Sequence, residues 1–132
     1  MSTITTATAI LTPAPGENIF IPGKLHTVRP IALESLPVFT ENCREYTVIE
    51  SDNFGKAVQL EVGALLVGKI RNHRGPGAVV RGEEKGMFLF GGSTVILLLT
   101  KDSVRINSDI AEASRRGLEY PVKLGQAIGS SI

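Results

Sequence analysis

Ser93 follows two glycines and precedes a threonine in Gly91-Gly92-Ser93-Thr94. Glycine opens backbone conformations closed to other residues and lets another group come close. A serine hydroxyl in that setting can reach the carbonyl carbon of Gly92. An N-to-O acyl shift becomes available once a base removes the hydroxyl proton. The competing reading of the same residues is a Gly-Gly turn between two strands, capped by Ser and Thr. The chain has two histidines, His26 and His73, the side chains that titrate nearest neutrality. His26 stands in Leu25-His26-Thr27-Val28 and reads either as a base for Ser93 or as a half-buried strand residue. His73 stands with Arg71 in Arg71-Asn72-His73-Arg74, which reads either as a clamp for a carboxylate or phosphate or as a solvated basic loop. Glu83 and Glu84 read as a solvated charged turn rather than an acid–base pair. The single cysteine, Cys43, reads as a small apolar residue, since nothing local would lower its pKa. No Cys/His set has zinc spacing, so no metal is expected.

These residues need a scaffold, and the pattern around them is β-rich. Residues 2–12 are rich in Thr and Ile and are expected to form an N-terminal arm or edge strand, with 13–132 as the domain proper. Strands are expected at Ile19–Ile21, Leu25–Val28, Tyr46–Ile49, through Lys56–Ile70 with bends at Gly63 and Gly68, at Ala78–Val80, Met87–Phe90, Val95–Leu99, Val104–Ile106 and Val122–Leu124. Pro30 opens a helical turn that Pro37 stops. Asp109–Arg116 reads as a helix, with acid at its start, arginines in its last turn and Gly117 beyond. Gly82–Gly86 reads as a charged turn. The segments Gly77–Gly86 and Val122–Gly129 look like two uses of one device, a strand, a tight turn and a glycine corner. The expected fold is mostly β: a small barrel or sandwich of short strands with one or two short helices.

Composition narrows the function. The net charge of +1 builds no field for nucleic acid. Trp is absent and aromatics are 5% of residues, which removes the stacking platforms used on single strands. No apolar run approaches the roughly 18 residues that cross a bilayer as a helix. The expected partner is a small-molecule substrate, in an intracellular, soluble setting. Pairing of residues 1–12 with a neighbouring copy would make a homo-oligomer.

The segment from Val80 to Leu98, Val-Arg-Gly-Glu-Glu-Lys-Gly-Met-Phe-Leu-Phe-Gly-Gly-Ser-Thr-Val-Ile-Leu-Leu, resembles the processing segment of phosphatidylserine decarboxylases. Pro22-Gly23-Lys24-Leu25-His26-Thr27-Val28-Arg29-Pro30 is similar to that family's P-G-x-L-x-[ST]-V-N-P stretch, with Arg29 in place of Asn. Phe54-Gly55 followed by Glu61-Val62-Gly63-Ala64-Leu65-Leu66-Val67-Gly68-Lys69-Ile70 is similar to its F-G…V-G-A-x-x-V-G-x-I stretch. Val122-Lys123-Leu124-Gly125-Gln126 and Ile128-Gly129 fit its end. The resemblance runs in order over residues 13–129. It implies a proenzyme whose serine attacks the preceding carbonyl. The ester is then eliminated, the chain splits between Gly92 and Ser93, and residue 93 becomes a pyruvoyl group. That ketone takes the substrate amine as a Schiff base and acts as electron sink for loss of carbon dioxide.

The resemblance also implies a base from an H-x-x-H-x-P stretch, oriented by an upstream Asp. The matching stretch here is Thr8-Ala9-Ile10-Leu11-Thr12-Pro13, which puts Thr8 and Leu11 at the histidine positions. Neither takes a proton at neutral pH. The expectation is therefore a decarboxylase-like chain that stays uncleaved, holds no cofactor, and works as an enzyme on a small apolar or anionic molecule in the ancestral pocket. Ser93, Gly92 and His26 would be its reactive residues. Gly91, Thr94, His73 and Arg71 would bind the substrate. The alternative is an authentic pyruvoyl-dependent decarboxylase, with the pyruvoyl formed from Ser93. A third reading is a binding relic without catalysis.

Overall fold

The computed structural model describes residues 2–5 (by backbone alone), 18–65, 69–73, 75–78, 82–89 and 94–132. In chain order the elements are β1 Ser2–Thr5, β2 Ile19–Ile21, α1 Pro30–Leu33, α2 Val38–Glu41, β3 Arg44–Ser51 and β4 Gly55–Val62. Then come β5 Lys69–Asn72, β6 Glu84–Leu89, β7 Thr94–Leu99, β8 Val104–Ile106, α3 Ser108–Arg115 and β9 Gly129–Ser131. The fold is mostly β, with small sheets of two to four short strands and a few short helices. One sheet has the order β2-β3-β4-β7, a second β1-β6-β5, and β8 pairs with β9. All these pairings are antiparallel.

The long hairpin β3–β4 is the frame of the larger sheet. Its register runs from Arg44 opposite Val62 to Ser51 opposite Gly55. The turn closes because Gly55 takes φ +69, which costs glycine nothing, and Ser51 Oγ accepts from Asn53 N at 3.2 Å. Thr47, Ile49, Ala57, Gln59 and Glu61 are buried on one face of this hairpin, as the period of two demands. Ile49 and Ala57 pack with Phe54 and Leu99 at one end. Ala64 and Phe88 pack with Val28 and Ile70 at the other. Between these apolar clusters, β4 carries the polar Gln59 and Glu61 into the interior.

Several local expectations are corrected. Leu25–Val28 forms no strand, and the residue before it, Lys24, makes only an isolated bridge with Asn42. Gly23 lies so close to Glu41 and Asn42 that a Cβ there would collide with their backbone, and the segment is held by the Asn42 side chain instead of a ladder. The helical turn opened by Pro30 forms as α1 and ends before Pro37, but a second short helix, α2, was not expected and begins just after that proline, its N-cap. Of the expected Gly82–Gly86 turn, only the beginning turns, and Glu84 to Gly86 already belong to β6. Val122–Leu124 is irregular, and the closing strand is β9. The expected resemblance between the two glycine segments has a geometric counterpart. Gly82 and Gly125 take φ +81 and +79. Four residues later, Gly86 and Gly129 lie in strands where a Cβ would sit 2.5 Å from Arg71 O and 2.6 Å from Arg105 O.

Candidate functional site

Thr94 opens β7 and pairs with Val62 at the end of β4. Gly91, Gly92 and Ser93 lie outside the described residues, as do Thr8 and Leu11, but the strands on either side of residues 90–93 are described. β6 pairs with β1 and β5, whereas β7 pairs with β4. The two strands therefore lie in different sheets. The turn expected at Gly91–Ser93 lies outside the described residues, but the strands that flank it are not paired with each other: β6 ends at Leu89 in one sheet and β7 begins at Thr94 in the other.

The end of β4 is fastened by Asn42, which is wholly buried. Its Nδ2 donates to the carbonyls of His26 and Gly63, both at 2.8 Å, and its Oδ1 accepts from His26 N at 2.9 Å. Gly63 N donates to Cys43 O, and Leu65 N to His26 O. One amide thus uses both donors and its acceptor on backbone that has no ladder partner. The result ties His26 and Thr94 to the same strand end, His26 through Asn42 and Gly63, Thr94 through Val62. Asn42 is a residue that sequence reasoning missed. Its signal was an amide side chain in a stretch dense in prolines and short turns.

His26 Nε2 lies 3.1 Å from Glu41 Oε2, and Lys24 Nζ lies 3.0 Å from the same oxygen. Lys24 foremost, then His26, hold the Glu41 carboxyl below its usual range. A neutral imidazole that donates Nε2–H to this carboxylate keeps the lone pair on Nδ1 for accepting a proton. His73 meets a different carboxylate: its Nδ1 lies 3.1 Å from Glu84 Oε1. Arg71 is exposed on β5, paired through its backbone with Met87. The expected site residues thus divide. His26 and Thr94 share the β4 end, while Arg71 and His73 belong to the β5–β6 edge. Cys43 is buried, and burial raises its thiol pKa, as expected of an inert thiol. No group of three or more metal-ligating side chains occurs among the described residues. No helix among them is long and apolar enough to cross a membrane.

A second polar assembly was not foreseen. Glu61 is wholly buried and Lys85 nearly so. Lys85 Nζ lies 2.9 Å from Glu61 Oε1 and donates to Asn72 Oδ1 at 2.8 Å. Gln59 Nε2 donates to Glu61 Oε1 at 2.9 Å, and Asn72 Nδ2 to Glu45 Oε1 at 2.7 Å. Glu61 Oε2 finds no hydrogen-bond partner among the described residues. Burial raises the Glu61 pKa against the opposing pull of Lys85, Gln59 and Asn72. The reading of Gly82–Gly86 as a charged turn is corrected at Lys85, which lies in β6 with its ammonium turned inward onto Glu61. The discernible signal lay elsewhere, in Gln59 and Glu61: two polar residues at alternate positions of the apolar run 57–65.

The family model described as phosphatidylserine decarboxylase matches residues 13–130. The chain belongs to the phosphatidylserine decarboxylase family. Phosphatidylserine decarboxylase proenzyme 2 of Clostridium acetobutylicum is 49% identical over 111 residues, covering 84% of this chain and 38% of that protein. The proenzyme of Clostridium botulinum strain Alaska E43 is 48% identical over 120 residues, covering 89% and 40%. That of Chlamydia muridarum is 48% identical over 116 residues, covering 86% and 38%. The chain spans about two fifths of the length of these curated phosphatidylserine decarboxylase relatives. No solved structure matches.

Proposed function

We propose that this chain is the serine-bearing, self-cleaving part of a phosphatidylserine decarboxylase, a carbon–carbon lyase, with scission between Gly92 and Ser93. The observation that carries the reading is that β6 and β7, the strands flanking residues 90–93, belong to different sheets. A break there separates no hydrogen-bonded strand pair, because β6 stays with β1 and β5 and β7 stays with β4. The near-half identity to proteins named proenzymes supports it as well. The flanking strands suit a carbonyl group made from residue 93, since its formation needs the chain to open at that point. That group would supply an electrophile for a primary amine and a sink for the electron pair left on carbon as carbon dioxide departs. The chain's own residues have the preceding task. Thr8 and Leu11 offer no base. The His26–Glu41 pair does: Glu41 orients the ring and leaves Nδ1 to take the Ser93 hydroxyl proton. Thr94 fixes the register of β7 against Val62, and Asn42 fixes the backbone of His26.

Intact mass of the purified chain after long incubation is the test. Two pieces, residues 1–92 and 93–132, with the second blocked at its N-terminus, are expected. Ser93→Ala abolishes the split, and His26→Ala slows it at least a hundredfold while leaving the fold intact. A wild-type chain that keeps its full mass refutes the reading. That result favours the second one, an uncleaved domain acting on a small apolar or anionic molecule. Its supporting observation is that the family match begins at residue 13, just after the positions held by Thr8 and Leu11.

A further inference from the structure

Lys85 should not point inward. Phe88 of β6 is buried in the core, so strict alternation directs Gly86 inward and Lys85 outward. The register against β1 shows why it does not. Ile4 pairs with Gly86 and Thr5 with Glu84, so Lys85 is the extra residue of a β-bulge. A bulge leaves one residue out of the ladder and re-aims its side chain. Here the ammonium is re-aimed onto Glu61, which lies on β4 in the other sheet.

The position of this bond matters. Lys85 is on the strand that leads into residues 90–93. Glu61 is directly opposite Val95, one residue into the strand that leads out of them. The pair therefore ties the strand that leads into residues 90–93 to β4, the ladder partner of the strand that leads out of them. Asn72 extends the link to Glu45, so β3 and β5 are drawn into the same polar seam. The arrangement is a poor way to gain stability. Two wholly or nearly buried charges lose their hydration, and one carboxylate oxygen is left without a partner. A matched apolar pair is often as stable or more so. What the ion pair has that an apolar pair lacks is a fixed direction and length.

We propose that the bulge-directed Lys85–Glu61 pair is a positioning device for the strands flanking Gly92–Ser93, setting the rate of scission rather than the stability of the fold. The proposal rests on the self-cleaving reading. An intramolecular attack depends steeply on the placement of its partners; this pair holds β6 directly and β7 through its ladder with β4.

The decisive variant is Glu61→Leu combined with Lys85→Met, which removes both charges and keeps the volume. It is made in the full chain, with Ser93 present and separately with Ser93→Ala. With Ser93 present, scission is followed by intact mass. A rate at least tenfold below that of the parent, with an unchanged melting temperature, is expected. Parent-like scission overturns the proposal. With Ser93→Ala, amide hydrogen exchange is read over residues 86–97 and over the β3–β4 hairpin. Faster exchange confined to 86–97 is expected. Unchanged exchange there, or a general loss of protection, overturns the proposal whether or not the parent cleaves. Failure of the parent to cleave refutes the self-cleaving reading alone. Lys85→Arg, which keeps a cation at the bulge, restores a large part of the rate if direction is what counts.

Discussion

Replacing Asn42 by alanine tests the logic of the strand end most directly. The side chain is wholly buried and makes three hydrogen bonds of 2.8 to 2.9 Å, all to main-chain groups. Leu65 N also reaches the His26 carbonyl, so that oxygen keeps one partner when Asn42 is removed. The Gly63 carbonyl and the His26 amide lose their side-chain partner. An unsatisfied buried group costs about 1–3 kcal/mol, so two of them and the weakened third give a loss of about 3–5 kcal/mol. Against a domain stability of about 5–15 kcal/mol, that is a large share. The assay is urea unfolding of the Ser93→Ala chain, which keeps scission out of the measurement. The midpoint falls while the slope holds. Asn42→Asp sharpens the case: it keeps the acceptor for His26 N but turns a carboxylate toward two carbonyls. It is expected to be worse than alanine at neutral pH and to improve in acid, where the protonated carboxyl donates one bond. A loss below about 1 kcal/mol for Asn42→Ala, on the scale of one ordinary hydrogen bond, refutes the view of this amide as the tie between His26 and β4.

Other outcomes follow from the same geometry. Gly86→Ala presses a methyl onto Arg71 O and costs about 1–3 kcal/mol by overpacking, while Gly75→Ala, with open space around it, stays within about 0.5 kcal/mol; thermal melts separate the two. Lys85→Met leaves the buried Glu61 without its countercharge, and breaking a buried pair costs about 3–5 kcal/mol. The sign of its pH dependence is fixed by the raised Glu61 pKa. The folded protein holds the Glu61 proton more tightly than the unfolded chain, so stability is greater below the unfolded pKa and is lost as pH rises through the folded one. Lys85→Met therefore recovers stability on acidification, which melts from neutral pH downward will show. Glu41 behaves oppositely. Its lowered pKa gives stability that is present above the unfolded pKa and lost as pH falls through the folded one, and Glu41→Gln removes that acid-side dependence.

Strand existence was legible where the pattern is local. Ile19–Ile21 and Val104–Ile106 form at the expected residues, because short β-branched runs between turn residues have few alternatives. The helix expected at 109–116 forms one residue earlier. α2 was invisible because four residues after a proline leave no periodicity to read. The site was legible only in part. The glycines and Ser93 stand out by type, and His26 by scarcity. The burial of Lys85 needs a bulge registered by β1 and an anion on a strand of the other sheet. Asn42 likewise gains its role from Gly63 and His26, each at least sixteen residues away. Such contacts are written in the topology, not in any window of the sequence.

The β4–β7 ladder, from Ala57 opposite Leu99 to Val62 opposite Thr94, is the strand pairing that binds the part after residue 93 to the rest among the described residues. β8 and β9 pair only with each other there. Scission as proposed would turn this ladder from an intrachain contact into an interface between two molecules. Its strength then obeys mass action: dilution works against the assembled product, whereas the uncut precursor is indifferent to concentration. Pieces from differently labelled preparations would exchange by swapping one strand at the open edge of β4. On the self-cleaving reading, the same six residue pairs that only align a strand before the cut would set, after it, the dissociation constant of the two pieces.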